Sequence, residues 1–240
     1  MSKGIMSTCR ALIAAIGPWT DLSALTAGLT TSFRLTLEPV DPEWREDLIQ
    51  RGWDTDALEK PQLKVIRGHG SVIWAEREFE AAAEGAELSV AREAAWLLRS
   101  LAERGASALY FDAAEKVMAP EALNDFPSRD SVALLHLFVE VWGDADEVLT
   151  EGMEVFGLPD VRVVGVDPKS AEAQATAFSA AAQLVCDGLA LPAGAEFRAS
   201  ESFPLFVSAG VSRDEAPAEA DEVPPNPCGY LTLRLTPPAR

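Results

Sequence analysis

Ser131 to Trp142 reads SVALLHLFVEVW. Val132, Leu134, His136, Phe138, Glu140 and Trp142 alternate with Ala133, Leu135, Leu137, Val139 and Val141, so both faces are largely apolar, as in a strand central to a sheet. Gly143, Asp144 and Asp146 supply turn chemistry. Further strand signal covers Val148 to Phe156 and Val161 to Val166, broken at Gly157-Leu158-Pro159. Asp167 is then placed to cap a helix with Pro168 in its first position. Ala171, Ala175, Phe178, Ala182, Val185 and Leu189 share one face of that helix, and its small side chains allow a close approach to the sheet.

Working outward, Cys9 to Ile16 reads as a short apolar strand, and Thr20-Asp21 starts a helix containing Leu22 and Leu25. Phe33, Leu35 and Leu37 alternate with polar residues, the pattern of a strand with one wet face. Glu43 to Gly52 predicts a helix buried through Trp44, Leu48 and Ile49. Gln62 to Arg67 and Ser71 to Glu76 read as two strands joined by a tight turn at Gly68-His69-Gly70. Ser89 to Arg104 predicts a helix with Val90, Ala94, Leu97, Leu98 and Leu101 as its apolar stripe. Ser107 to Phe111 is a further strand, and Gly229 to Leu235 a last one returning to a sheet edge.

Paired strands and the lack of a phosphate-binding glycine loop predict an α+β fold, with antiparallel or mixed sheets and helices covering one face. The break at Asn124 to Asp130 divides the chain into an amino-terminal lobe, 1–126, and a carboxy-terminal lobe, 127–240. The two share a coarse recipe without periodic identity. Arg213 to Cys228, rich in proline and carboxylates, is expected to be a mobile loop.

The 240 residues suffice for a substantial core, and 38 acidic residues against 20 Lys and Arg give a net charge of -18. That field repels nucleic-acid phosphates and anionic membrane surfaces and attracts a basic protein. No apolar run reaches the roughly 18 residues of a membrane span. Cys9, Cys186 and Cys228 form no CxxC pair, which argues against a disulfide scaffold or a structural zinc site and makes the cytoplasm the expected compartment.

Candidate chemistry is sparse. If 131–142 is a strand, His136 and Glu140 share a face and could serve a hydrolase or metal site; a core histidine bonded to a buried glutamate has the same pattern. His69 is a turn histidine without an assigned partner. Glu147, Glu151, Glu154 and Asp160 could gather around the Gly152 and Gly157 turns to bind a divalent cation, but without the ligand spacing of a calcium loop. No nucleophile elbow is present, and no cofactor is implied. Six tryptophans offer interface anchors, with Trp53, beside an acidic turn, the one placed most readily at the surface.

The segment Leu135 to Gly157, with His136-Leu137-Phe138, Thr150-Glu151-Gly152-Met153-Glu154 and Phe156-Gly157-Leu158-Pro159, resembles the carboxy-terminal region of an uncharacterised bacterial domain-of-unknown-function family. The likeness extends through Ala181-Ala182 to Gly188 and Leu191 to Gly194, and the chain departs from the pattern by placing Glu151 between Thr150 and Gly152. The resemblance implies a two-lobed bacterial α+β protein, sometimes set among toxin and immunity genes. It brings no catalytic residues. Thr150, Gly152, Met153, Phe156 and Gly157 match as structural motif positions, with glycines at turns and Met153 and Phe156 in the core. The resulting expectation is a non-catalytic, immunity-like binding module for a basic protein, with Trp53, Glu147, Glu151 and Glu154 at its interface. The alternatives are an enzyme using His136 and Glu140, and a structural or regulatory domain without a basic partner.

Overall fold

The structure, a computed structural model, describes residues 7–81, 86–125, 130–188, 191–212 and 226–236. These residues form an α+β fold with two sheets, of five and six strands. The chain divides into two compact units: Arg10–Glu78 with Ser89–Phe138, and the remainder, chiefly from Val139 onward. The boundary expected at 126/127 falls outside the described residues, and in this part of the chain the units divide after Phe138.

The first unit is built from β1 (Thr8–Gly17), α1 (Leu22–Thr26), β2 (Arg34–Pro39), α2 (Pro42–Asp54), α3 (Lys60–Gly68), β3 (Ser71–Glu80), α4 (Leu88–Glu103), β4 (Ala108–Phe111), β5 (Lys116–Met118) and α5 (Ser131–Phe138). Its strands lie in the order β2-β3-β1-β4-β5. Strand alternation sends neighbouring residues to opposite faces. Tyr110 meets Trp44 of α2 edge-on at 5.6 Å, while Phe111 meets Phe138 of α5 at 4.9 Å. Helices therefore cover both faces of this sheet, not one. On the Tyr110 side, Ala14, Ile16 and Val72 join Leu48, Ile49, Leu58 and Ile66 in one apolar cluster. On the other, Arg77 of β3 donates to Glu93 of α4 at 2.6 Å.

Two segments read as strands are α-helices, and Met153–Phe156, the end of the strand signal at Val148 to Phe156, is a short 3-10 helix. Ser131–Phe138 is α5: the Asp130 carboxylate accepts the amides of Val132 and Ala133 at 2.8 and 3.3 Å, and the chain becomes extended only at β6 (Glu140–Asp144). Capping by Asp130 satisfies two first-turn amides, an advantage that a largely apolar run cannot reveal by periodicity. Gln62–Arg67 lies within α3, whose start carries a reciprocal Glu59/Gln62 capping box and Pro61 in the first turn.

The second unit contains β6, β7 (Glu147–Glu151), β8 (Asp160–Val164), α6 (Ala171–Ala182), β9 (Glu196–Phe197), β10 (Phe206–Ser212) and β11 (Tyr230–Leu235). Strand order is β6-β7-β8-β11-β10-β9. The last strand is not at an edge: β11 lies parallel to β8 and antiparallel to β10. Ser170, rather than Asp167, caps α6 by accepting the Ala173 amide. That helix packs on β6, β7 and β8 with Ala173, Ala177, Ala180 and Ala181 buried, whereas the face read from sequence is turned away from the core, with Ala171 exposed and Ala175, Phe178 and Ala182 half-buried.

Close approach extends to the loop before α6, where a Cβ on Gly143 of β6 would lie 2.4 Å from the Pro168 carbonyl oxygen. Gly143→Ala is expected to cost about 1–3 kcal/mol through overpacking. Urea denaturation measures this, and an unchanged midpoint would show that the Pro168 loop yields without strain.

Candidate functional site

The second unit's sheet holds a buried polar cluster where the β7–β8 turn meets the start of β11. The turn is compact because Gly152 and Gly157 adopt φ of 103° and 66°, a left-handed conformation that costs glycine little. Between them Met153 and Phe156 are fully buried. This geometry delivers Thr150, at the end of β7, to Asp160, the first residue of β8.

Asp160 is only 5% exposed. Its Oδ1 accepts the Thr150 hydroxyl and the Met153 amide, each at 3.2 Å, and its Oδ2 accepts Asn226 Nδ2 at 2.7 Å. The Thr150 hydroxyl also accepts the Val161 amide at 2.7 Å. Asn226 Nδ2 donates to the Leu158 carbonyl at 2.9 Å, and its Oδ1 accepts the Cys228 amide at 2.8 Å. One asparagine thus joins the chain entering β11 to the turn entering β8. Burial pushes the Asp160 carboxyl up to about 7 against the pull of its three donors, and the nearby Glu151 charge adds to the rise. Burial likewise raises the Tyr230 phenol to about 12, with the Asp160 charge as the next cause.

The residues singled out from sequence lie on several elements of both units. His136 is exposed on α5 and Glu140 opens β6, so the shared strand face on which their pairing depended does not exist. The two also belong to different units. His69 ends α3, where its carbonyl accepts Arg45 at 3.1 Å, instead of turning a hairpin. Glu147 is buried and pairs with Arg162 Nε at 2.5 Å, which takes its carboxylate out of an exposed interface. Glu151 and Glu154 are half-buried. Among the described residues, no group of three or more His, Cys, Asp or Glu side chains is arranged to hold a metal ion.

No protein-family model matches the chain, nor does any curated protein or solved structure. The functional reading therefore rests on the molecule's own surface and chemistry.

Trp53 is the most informative surface residue. It is 43% exposed near the end of α2, with Lys60 Nζ 5.5 Å from the ring centroid. Glu43, Asp47, Gln50 and Asp54, spaced as one helical stripe, are exposed along α2, and Asp56 and Glu59 are exposed in the link to α3. Arg67 engages Glu46 at 3.0 Å and Arg51 pairs with Glu115, so the basic side chains of α2 and α3 are partly neutralised locally. Among the described residues, no helix is long and apolar enough to cross a membrane.

Proposed function

We propose that this chain is a non-catalytic binding protein whose partner presents a basic protein surface to the acidic stripe of α2. The observation that carries the reading is Trp53, a large aromatic side chain left exposed among carboxylates with a lysine ammonium over its ring. Aromatic rings bind cations and bury large area at little entropic cost, and they are enriched among interface anchors. The net charge of -18 would speed encounter with such a partner, while burial of Trp53 would supply lasting affinity. An immunity-type role against a basic toxin is the form of this reading that the family resemblance implies. The enzyme alternative rests on His136 and Glu140 sharing one strand face, and His136 instead lies on α5.

Trp53→Ala is expected to weaken the complex by about 30-fold, the scale of an interface hot spot, without unfolding a protein in which this ring is half in solvent. The measurement is titration with a basic protein captured from the native lysate, at rising salt. Wild type should associate more slowly but still saturate one-to-one at about 0.3 M salt, because screening weakens exposed charges more than packed apolar contacts. Loss of all binding at that salt, or equal affinity of wild type and variant, would defeat the proposal.

A further inference from the structure

Cys9 and Cys228 are separated by 219 positions in the sequence, yet their sulfurs lie 3.3 Å apart. Both are buried thiols not joined by a covalent bond, and both belong to the second unit. We propose that they are a redox modification site: a low-molecular-weight disulfide oxidises them to an intramolecular disulfide that locks the start of β1 to the turn entering β11. This inference is independent of the partner proposed above.

The backbone around the pair is held in place. Ser7 Oγ donates to the Pro227 carbonyl at 3.0 Å, and the Ser7 carbonyl accepts the Ala81 amide at 2.9 Å. The Cys228 amide is held by Asn226 Oδ1, itself part of the Asp160 cluster. A disulfide has sulfurs about 2.05 Å apart, so closure needs them to approach by roughly 1.2 Å, within reach of side-chain rotation.

Cys228 is 7% exposed and Cys9 not at all, which makes Cys228 the thiol that meets the oxidant first. Its thiolate, formed by loss of a proton to solvent, attacks one sulfur of the small disulfide; a mixed disulfide forms and one small thiolate leaves. The Cys9 thiolate then attacks Cys228 Sγ and expels the second small thiolate. The two protons lost from the cysteines end on the two released thiols, and the two electrons reduce the small disulfide. In a reducing compartment the pair stays dithiol; a shift in redox poise closes it. Cys186 is exposed at the wider helical turn Gln183–Asp187 that follows α6, and serves as an internal control.

The test incubates the full chain with oxidised glutathione, alkylates remaining thiols after denaturation and maps the peptides by mass. The expected product is a Cys9–Cys228 linked peptide lacking two hydrogens, with glutathione only on Cys186, reversed by dithiothreitol. Its Tm should exceed that of the reduced protein by about 5 °C or more, since the link closes nearly the whole chain. Cys9→Ala should instead trap glutathione on Cys228, and Cys228→Ala should leave Cys9 unmodified. Should either variant fail to fold, the wild-type map decides alone. Alkylation of Cys9 and Cys228 as separate thiols after oxidation, or linkage of either to Cys186 or to a second chain, would overturn the proposal.

Discussion

Between about pH 4 and pH 7, wild-type protein is expected to lose stability relative to an Asp160→Ala variant, by a total on the order of 4 kcal/mol. The sign follows from proton counting. In the unfolded chain Asp160 releases its proton near the ordinary value of 3.8, whereas in the folded protein it holds it up to about 7. Across that window the native state binds more protons, so raising the pH favours the unfolded state and the contribution is lost as pH passes the folded value. Taking the difference against the alanine variant cancels groups common to both proteins, including Glu93, held below its ordinary value by Ser32, Thr31 and Arg77 despite partial burial. Denaturant titrations across the range measure the difference, and carboxyl NMR gives the midpoint directly. A difference curve that is flat or rises with pH would show that the three donors outweigh burial.

Asn226→Ala is expected to cost about 3 kcal/mol at about pH 8 and distinctly less at about pH 5. Truncation removes donors from the Leu158 carbonyl and the Asp160 carboxylate and the acceptor of the Cys228 amide, all at a buried junction. Buried polar groups left without partners cost about 1–3 kcal/mol each, offset in part by local relaxation. Loss of a donor to the charged form of Asp160 disfavours ionisation further, so the penalty grows once the carboxyl must ionise. Equal losses at the two pH values would mean that Asn226 acts through the backbone alone and is not coupled to the Asp160 charge.

The fold class was legible because most of its signals are local. The apolar run of β1 and the apolar stripe of α4 each declare themselves within a dozen or so residues, whereas at α6 the helix was legible but its buried face was not, because alanines occupy every side of it. The misread segments had opposing local cues. A run at Val132–Val139 that is apolar except for His136 satisfies strand and helix templates alike, and the deciding residue was Asp130, outside the run. At α3 the Glu59/Gln62 capping box went unread, and the glycines on either side of His69 pointed to a hairpin. Glycine marks a helix end as readily as a hairpin.

The polar cluster is a different case. Thr150 and Asp160 are singled out separately, as a motif position and as one of four turn carboxylates, with nothing to pair them, and Asn226 follows a proline-rich stretch that suggested mobility. Most of that stretch, 213–225, lies outside the described residues, but Asn226 and Cys228 at its end are buried and bonded. Only the parallel register that sets Tyr230 beside Asp160 brings these groups together, and pairing between strands so far apart in sequence leaves no local trace. An aspartate opening β8 beside the apolar Val161, Val163 and Val164 was the available hint, since an acid at a core position calls for partners.

The position of β11 also orders events during synthesis. It stands between β8 and β10, yet both precede it in the chain. Until residue 230 has left the ribosome, β6-β7-β8 and β9-β10 are separate ribbons, and the sides of β8 and β10 that will face β11 carry bare amides and carbonyls. Open edges are templates for other chains. A nascent chain released before that point would therefore hold two adhesive ribbons in place of one sheet, and β11 is the strand that closes both edges at once.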